Sequence, residues 1–425
     1  MNVLVLVICL TAFFLLGVPI AVILGLSTLV LVYFTTNIPL LSIPQQMFNG
    51  IDTTLLLAVY FFILAGQIMT EGTLSRRLIR LINSFLGRSK GGLAISSVLA
   101  CMFFAAISGS SPATVIAIGG IMIPALIKDG YDEKFSTGLL TSAGSLGILI
   151  PPSIPMIIWA LVMTQSVTEQ FLAGVIPGII LGAGFMLMSY LKASKEGWAG
   201  RTEASWPEIK KALRQGVWGL SLPVVVLGGI YTGVFTTTEA SAVAVVLAFF
   251  IELVIHRDLS FRRVPRVVID ATVLGASLVF IISAAATLSW YLNFMQVPNK
   301  FAAFLGSAIT QKWVFLLLAN IFFLFLGCFM DLVSAMLVLG PIFLPTLARF
   351  GIDPLHFGII MVVNIEIGFL TPPFGLNLFV ASGVTRKSLH SVAMSVAPFL
   401  LMMFAVLLLL TYVPSLSLFF VDLFR

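Results

Sequence analysis

Charge is what this sequence has least of: 9% of its 425 residues are Asp, Glu, Lys or Arg, against 60% hydrophobic, and the mean hydropathy is +1.13. A soluble globule covers itself with roughly 25% charged residues, so a water-soluble fold is excluded and the chain reads as an integral membrane protein. Cysteine is scarce as well. Cys9, Cys101 and Cys328 lie in apolar stretches without metal-ligand spacing, read as buried small side chains, and carry no information on redox compartment. The three histidines, His256, His356 and His390, stand isolated in loop-like stretches, so neither a metal site nor a proton relay is expected of them. A Gly-x-Ser-x-Gly elbow is missing, and no histidine lies in an intramembrane segment to act as a base, which disfavours an intramembrane enzyme. The first apolar stretch, Val3 to Phe34, lacks a basic n-region and exceeds the length of a signal peptide's apolar region, so it is expected to remain as a transmembrane helix.

What the chain does have is one pattern written twice. Pro124, Leu126, Gly130, Asp132, Gly147, Leu149, Pro151 and Pro152 return in register, 221 positions on, as Pro345, Leu347, Gly351, Asp353, Gly368, Leu370, Pro372 and Pro373. Phe104 with Phe325, Gly119 with Gly340 and Ile121 with Ile342 extend the match upstream. Each copy reads as a hydrophobic hairpin, a short Gly/Asp turn and a helix broken at Gly-x-x-x-Pro-Pro. Paired interrupted helices in the two halves of an apolar chain point to the binding site of a secondary transporter, because half-helix ends and freed carbonyls can hold ions and anions there.

Basic residues set the orientation. Seventeen of the 23 Lys and Arg fall in four segments: Arg76 to Lys90, Lys192 to Arg214, Arg257 to Arg266, and Arg386 with Lys387. Such segments mark the cytoplasmic side, and the +6 net charge is therefore a matter of topology rather than of nucleic acid. The N-terminus is then inside, with spans at about 51–70, 216–234, 239–255 and 267–290. The first repeat starts at the cytoplasmic face after Lys90, and the second starts at the external face within 291–311, so the two copies are inverted. If each hairpin re-enters, the first returns inside at Lys128–Lys134 and the second outside at Arg349–Leu355. The broken helices then end outside at Thr164–Glu169 and inside at Arg386–Lys387. Reading each hairpin as two full spans is the rival, although arms of about 16–18 residues are short against the ~20 that a span wants. Leu74, Leu78, Leu81, Ile82 and Phe85 recur at helical spacing opposite most of the arginines, which predicts an in-plane helix at the cytoplasmic surface over Leu74–Lys90. Trp206–Trp218 reads as a second one.

The fold class is accordingly an all-α integral membrane protein, an inverted-repeat secondary transporter with two re-entrant hairpins and two broken helices. Its parts are residues 1–91 as N-terminal scaffold with the interfacial helix, 92–165 as the first core, 166–311 as further scaffold, 312–385 as the second core, and 386–425 as the C-terminal span. The first hairpin tip reads Ser108-Gly109-Ser110-Ser111-Pro112-Ala113-Thr114, and the first break runs from Gly144 to Ser153. Lipid offers backbone groups no hydrogen bonds, so such breaks persist only inside protein or around a polar cavity. Their hydroxyl and carbonyl oxygens suit an alkali cation, while packing by small residues is the plainer alternative. In the second copy Asp331 takes the place of Ser110, and the break runs Gly368 to Gly375 with Asn377 beyond it. An acidic residue at membrane depth costs ~2.5–3.5 kcal/mol and usually faces a cavity, an ion or a partner. The alternative for Asp331 is a helix cap. Glu366 has the same status, and either acid could carry a proton instead of the site taking sodium. Glu239, closing Thr236-Thr237-Thr238-Glu239, reads equally as a functional turn and as a capping box. Ser111, Ser153, Asp331 and Asn377 are the candidates to meet substrate between the two tips.

At these residues the chain resembles the large, DctM-like membrane subunit of TRAP transporters, the tripartite ATP-independent periplasmic type. The motifs that carry the resemblance are Ser108-Gly109-Ser110, Ile150-Pro151-Pro152-Ser153-Ile154-Pro155, Phe235-Thr236-Thr237-Thr238-Glu239-Ala240, Gly351-Ile352-Asp353-Pro354 with His356-Phe357-Gly358, and Ile367-Gly368-Phe369-Leu370-Thr371-Pro372-Pro373. Thr237 departs from a frequent proline there. The resemblance implies a bacterial inner-membrane importer driven by sodium ions, moving a small carboxylate (a C4-dicarboxylate, sialic acid or another sugar acid) by an elevator-like motion. It implies a separate small four-helix membrane subunit and a periplasmic substrate-binding protein, with membrane lipid around the spans. Sodium positions carried over by the resemblance are Ser108, Ser110, Gly144, Gly147 and Pro151 in the first half, and Gly327, Gly368, Thr371 and Phe374 in the second. No other metal is implied. A stand-alone proton- or sodium-coupled organic anion permease is the nearest rival.

The positive-inside pattern yields a direct test. Single Ser42→Cys and Gln165→Cys variants are expected to react with an impermeant thiol reagent from the periplasm, and Lys90→Cys and Lys210→Cys only from the cytoplasm. External labelling at position 90 would overturn the topology.

Overall fold

The computed structural model describes Leu10, Ala12, Phe13 and residues 16–86, 89–198 and 206–425, with backbone only at Glu208. The start of the first span, Cys9, Arg88 and Arg201 lie outside the described residues. All regular structure among the described residues is helical. Scaffold helices come first: α1 (Ile20–Thr35), α2 (Ser42–Asn49), α3 (Leu55–Glu71) and α4 (Leu74–Leu86). The first repeat follows as α5 (Gly92–Ser108), α6 (Ser111–Lys128), α7 (Glu133–Leu149) and α8 (Ile154–Val162). Then come α9 (Val167–Glu196), α10 (Trp206–Tyr231), α11 (Thr237–Ile255), α12 (Val264–Phe294) and α13 (Val297–Ala308). The second repeat is α14 (Lys312–Gly327), α15 (Leu332–Phe350), α16 (Pro354–Phe369) and α17 (Leu376–Thr385), and α18 (Leu389–Tyr412) and α19 (Ser415–Phe424) close the chain.

The helices pack in pairs: α1 lies on α12, α3 on α11, α4 on α10, α7 on α18 and α14 on α16. The repeats meet the other helices where α12 and α13 contact α15 and where α4 and α9 contact α5. Helices α7 and α8 are bent by 40° at their break, so the first repeat has the interrupted span expected of it. Apolar residues such as Ile269, Val273, Phe280, Leu401 and Leu409 stay exposed along the long helices, the lipid-facing surface of a membrane bundle.

Each hairpin brings its two ends together. Gly91 N donates to Trp198 O at 3.2 Å, and Tyr131, past the other end, packs its ring 4.8 Å from that of Trp198. In the second hairpin Lys312 Nζ donates to Gly351 O at 3.0 Å. The arms number 17 and 18 residues in the first hairpin, about 26 Å at 1.5 Å per residue against an apolar core of about 30 Å. The charge-derived sides also agree with the ion pairs. Lys387 meets Glu133 at 2.8 Å, joining two segments assigned to the cytoplasm, and Arg425 meets the externally assigned Glu169 at 3.1 Å.

The surface helix α4 turns 70° away from α3, as an in-plane helix must, and buries Leu74, Leu78, Ile79, Leu81 and Ile82. Phe85 departs from expectation and is exposed. Trp206–Trp218 is not a separate surface helix: it runs unbroken into the following span as the 26-residue α10, since neither Gly216 nor Pro223 stops the helix. His356 is not in a loop either. It sits in the first turn of α16, buried, with Nδ1 3.3 Å from Ser417 Oγ.

Glu239 completes a capping box at the start of α11. Its Oε2 accepts from Thr236 N at 2.8 Å and Thr236 Oγ1 at 2.9 Å, while Thr236 Oγ1 accepts from Glu239 N at 3.2 Å. Removing the Glu239 carboxylate leaves the Thr236 amide at the helix start without its partner. Glu239→Ala is expected to lower the thermal midpoint of the purified protein, and Glu239→Gln, which can still accept at the N-cap, to lower it less. Equal losses would mean that charge, not the box, is what matters at this turn.

Candidate functional site

The first hairpin turns at Gly109, whose φ of +57° is left-handed and open to glycine at little cost. A side chain here would also meet Pro152 O at 3.0 Å and Ile154 N at 3.2 Å, so the turn is seated on the first helix break. Beyond it Ser110 is extended and N-caps α6. Thr114 Oγ1 donates to Ser110 O at 2.9 Å and lies 3.4 Å from Ser108 Oγ. Gly147 touches the same group: a methyl there would overlap Ser110 O and come within 2.6 Å of Thr114 Oγ1. Gly144 faces the next carbonyl, that of Ser111, at 3.5 Å from its would-be Cβ. Ser108, Ser110, Gly144 and Gly147 are thus brought into one oxygen-rich contact, and buried Pro151 stands at the adjoining break. Thr114 belongs to this group too. It was legible as a hydroxyl one helical turn after Ser110.

The second half repeats the contact with backbone alone. A Cβ on Gly368 would overlap the Gly327 carbonyl carbon and approach its Cα at 2.6 Å, so the end of α14 lies directly on the second break. Thr371 Oγ1 donates to Ile367 O at 2.8 Å across that break. Phe374 is half exposed, with its ring 5.8 Å from that of Phe329. Both Pro151-Pro152 and Pro372-Pro373 bonds are cis.

The substrate candidates separate. Asp331 N-caps α15, accepting from Ser334 N at 3.0 Å through Oδ1 and from Ser334 Oγ through Oδ2; both of its oxygens are engaged at the cap. Ser153 likewise N-caps α8 and donates to Ile148 O at 2.6 Å within its own break. Ser111 and Asn377 instead meet each other across the repeats. Asn377 Nδ2 is 2.6 Å from Ser111 Oγ, and both donate to Glu366 Oε1 at 2.6 Å. Glu366, given less weight from sequence than Asp331, is the acid at the centre of the molecule. Nearby, Asn364 donates to Asn320 Oδ1 at 2.7 Å, and Asn320 donates to Thr411 Oγ1 at 3.0 Å, tying α16, α14 and α18.

Hydroxyl, amide and carbonyl oxygens in a water-poor contact can coordinate an alkali cation. A second polar cluster lies at the cytoplasmic end of α11, where Glu252, His256 and Asp258 place ligand-type atoms within 4.8 Å of one another. There Glu252 Oε1 caps Leu74 N at 2.9 Å and Asp258 pairs with Arg77 at 2.6 Å. Burial, with Arg77 nearby, holds the His256 imidazole below its ordinary titration range. Burial opposes ionisation of Asp258, but its bonds from Thr73 and Arg77 outweigh that and keep its carboxyl below the usual value. A cavity of about 270 Å³ lies elsewhere again, between α8, α12, α13 and α15, with Val162, Ser289, Asn293, Gln296 and Pro345 in its wall.

Comparison with known proteins agrees with this layout. The family described as "Tripartite ATP-independent periplasmic transporter, DctM component" matches residues 7–416. The chain is 41% identical to the C4-dicarboxylate TRAP transporter large permease protein DctM of Rhodobacter capsulatus, over 96% of each chain. It is 43% identical to the protein of the same description from Pseudomonas aeruginosa, over 93% of this chain and 92% of that one. Among solved structures the Alcanivorax borkumensis YdaH transporter superposes with a TM-score of 0.69 at 17% identity, covering 96% of this chain and 98% of that one, a likeness of fold.

The glycine contacts are testable by volume alone. Overfilling a packed contact costs about 1–3 kcal/mol, so Gly368→Ala should lower the thermal midpoint by several degrees. Gly383→Ala, whose methyl would meet nothing within 4 Å, should not. Equal midpoints would show that the second turn and break are not in close contact.

Proposed function

The chain belongs to the DctM family, the large permease subunit of tripartite ATP-independent periplasmic transporters, and from that premise we propose that it imports a small carboxylate with sodium as the coupling ion. As a multi-pass inner-membrane subunit of a tripartite system it works with a small membrane subunit and a periplasmic binding protein. In this reading sodium is cargo. Ser108, Ser110, Gly144, Gly147 and Pro151, joined by Thr114, form one cradle, and Gly327, Gly368, Thr371 and Phe374 form the other.

The observation that carries the reading is the paired seating of each hairpin turn on a helix break, Ser110 on Gly147 and Gly327 on Gly368. Freed carbonyls at such breaks are the groups that coordinate sodium in inverted-repeat transporters. Names of relatives that specify C4-dicarboxylates support a small carboxylate, and sialic acid or another sugar acid meets the same requirement. The substrate sits between the tips, near Ser111 and Asn377, with Ser153 and Asp331 shaping the adjoining helix starts. Hairpins α5–α6 and α14–α15, with the broken helices, form the moving body of an elevator. The remaining helices are its frame, and the cavity along α12, α13 and α15 lies on the seam between them. Transport rather than catalysis is supported by the names of the relatives, which are permeases.

Proteoliposomes test this. Uptake of a C4-dicarboxylate, and of sialic acid in parallel, should require an inward sodium gradient, the small subunit and the loaded binding protein together. Ser110→Ala and Thr371→Ala should each raise the sodium half-saturation about five- to a hundredfold, the loss of one buried ligand at roughly 1–3 kcal/mol. Sodium-independent uptake driven by a proton gradient, or uptake by this chain alone, would favour the stand-alone permease.

A further inference from the structure

Glu366, Ser111 and Asn377 tie the first hairpin to the second helix break. Ser111 opens α6 just after the first turn, while Glu366 precedes Gly368 on α16 and Asn377 lies in the first turn of α17 beyond the break. All three are at most 2% exposed. One carboxylate oxygen, Oε1, takes both donors at 2.6 Å, and the two donors are themselves 2.6 Å apart. The triangle is therefore closed and directional: moving any one side chain disturbs the other two.

As a device for stability it is poor. Glu366 Oε2 and Asn377 Oδ1 are buried without a hydrogen-bond partner, and no Lys, Arg or His among the described residues pairs with the carboxylate. Apolar residues of similar size would fill such a site at no greater cost. As a linkage it is well placed. Ser110, whose carbonyl abuts Gly147, is the neighbour of Ser111, and Gly368, which abuts Gly327, is two residues from Glu366.

We propose that Glu366 is a positioning residue that couples the two oxygen cradles, its Oε1 holding the first hairpin turn and the second helix break in register so that an ion in one cradle pre-orders the other. The inference rests on the reading of those cradles as sodium sites. An ion that fixes Ser110 and Thr114 fixes Ser111, hence Glu366 and Asn377, and the second ion then meets a break already ordered. Ordering done once need not be done again, which is positive cooperativity.

The test is binding of radioactive sodium alone to the purified membrane complex of large and small subunits in nanodiscs. Wild type should bind with a Hill coefficient near two, and Glu366→Ala with one near one. Half-saturation should rise about two- to twelvefold in that variant, the square root of the 5- to 150-fold coupling usual between two sites. Glu366→Gln keeps an acceptor oxygen and should restore the steeper curve, which separates coupling from a general loss of packing. Where Glu366→Ala does not assemble, Ser111→Ala removes one side of the triangle and must flatten the curve likewise. Absence of sodium binding in wild type would sink the sodium reading and this inference with it. Non-cooperative binding in wild type, or steep binding that survives both Glu366→Ala and Ser111→Ala, would overturn the coupling alone.

Discussion

The rest of the structure depends on one constraint: in the middle of a bilayer a peptide group has no water to bond, so a helix may break there only against protein. Among the described residues two helices break in this way, between α7 and α8 and between α16 and α17, and each break lies against the turn of a hairpin from its own repeat. The contact is made by removing side chains. Gly109 and Gly147 on one side, and Gly327 and Gly368 on the other, let backbone meet backbone at distances that a methyl group would not allow. Close approach of oxygen-bearing backbone, which shields it from lipid, is also what the proposed sodium sites would draw on.

That constraint explains how much could be read from the sequence. The duplicated Pro, Gly and Asp positions, the two breaks and the surface helix α4 are local patterns, and the structure has each of them. Side-chain partners across the repeats are another matter. Glu366 and Asp331 look alike in sequence, both acids in apolar surroundings, and only the fold separates them. Asp331 is followed three residues on by Ser334, whose amide and hydroxyl it caps. Glu366 has no such local donor and finds one 255 positions away in Ser111. The continuation of Trp206–Trp218 into α10 was illegible for a different reason: three basic residues beside two tryptophans describe the end of a tilted span as well as a surface helix.

The two cradles are alike in backbone and unlike in side chains. The first has Ser108, Ser110 and Thr114 within reach of one another, while the second has glycine against glycine, with Thr371 as its nearby hydroxyl. If both take sodium, as proposed, unequal ligands would hold the two ions with unequal strength, and a steep response to the ion would require that the sites communicate. Distance along the chain gives no means of doing so. Contact between Ser111, Asn377 and Glu366 does, because it is the place where side chains of the first hairpin and of the second broken helix share one acceptor.

The elevator motion proposed above turns on where the polar links run. Directional bonds join α6 to α16 and α17, and run from α16 through Asn320 on α14 to Thr411 on α18. Between the hairpins with their broken helices and the other helices, α12 and α13 meet α15 beside a cavity and α4 and α9 meet α5; polar links cross there too, from Arg349 to the Gly306 carbonyl at 2.9 Å, from Gln170 to Leu355 O at 3.4 Å and from Asn320 to Thr411 at 3.0 Å. Hydrogen bonds fix the groups they join to one geometry, whereas apolar side chains can slide over one another with little change in buried area. For the proposed elevator, the bonds among α6, α16 and α17 have to travel together, while those that cross to the other helices, Gln170 to Leu355 O and Asn320 to Thr411, have to yield.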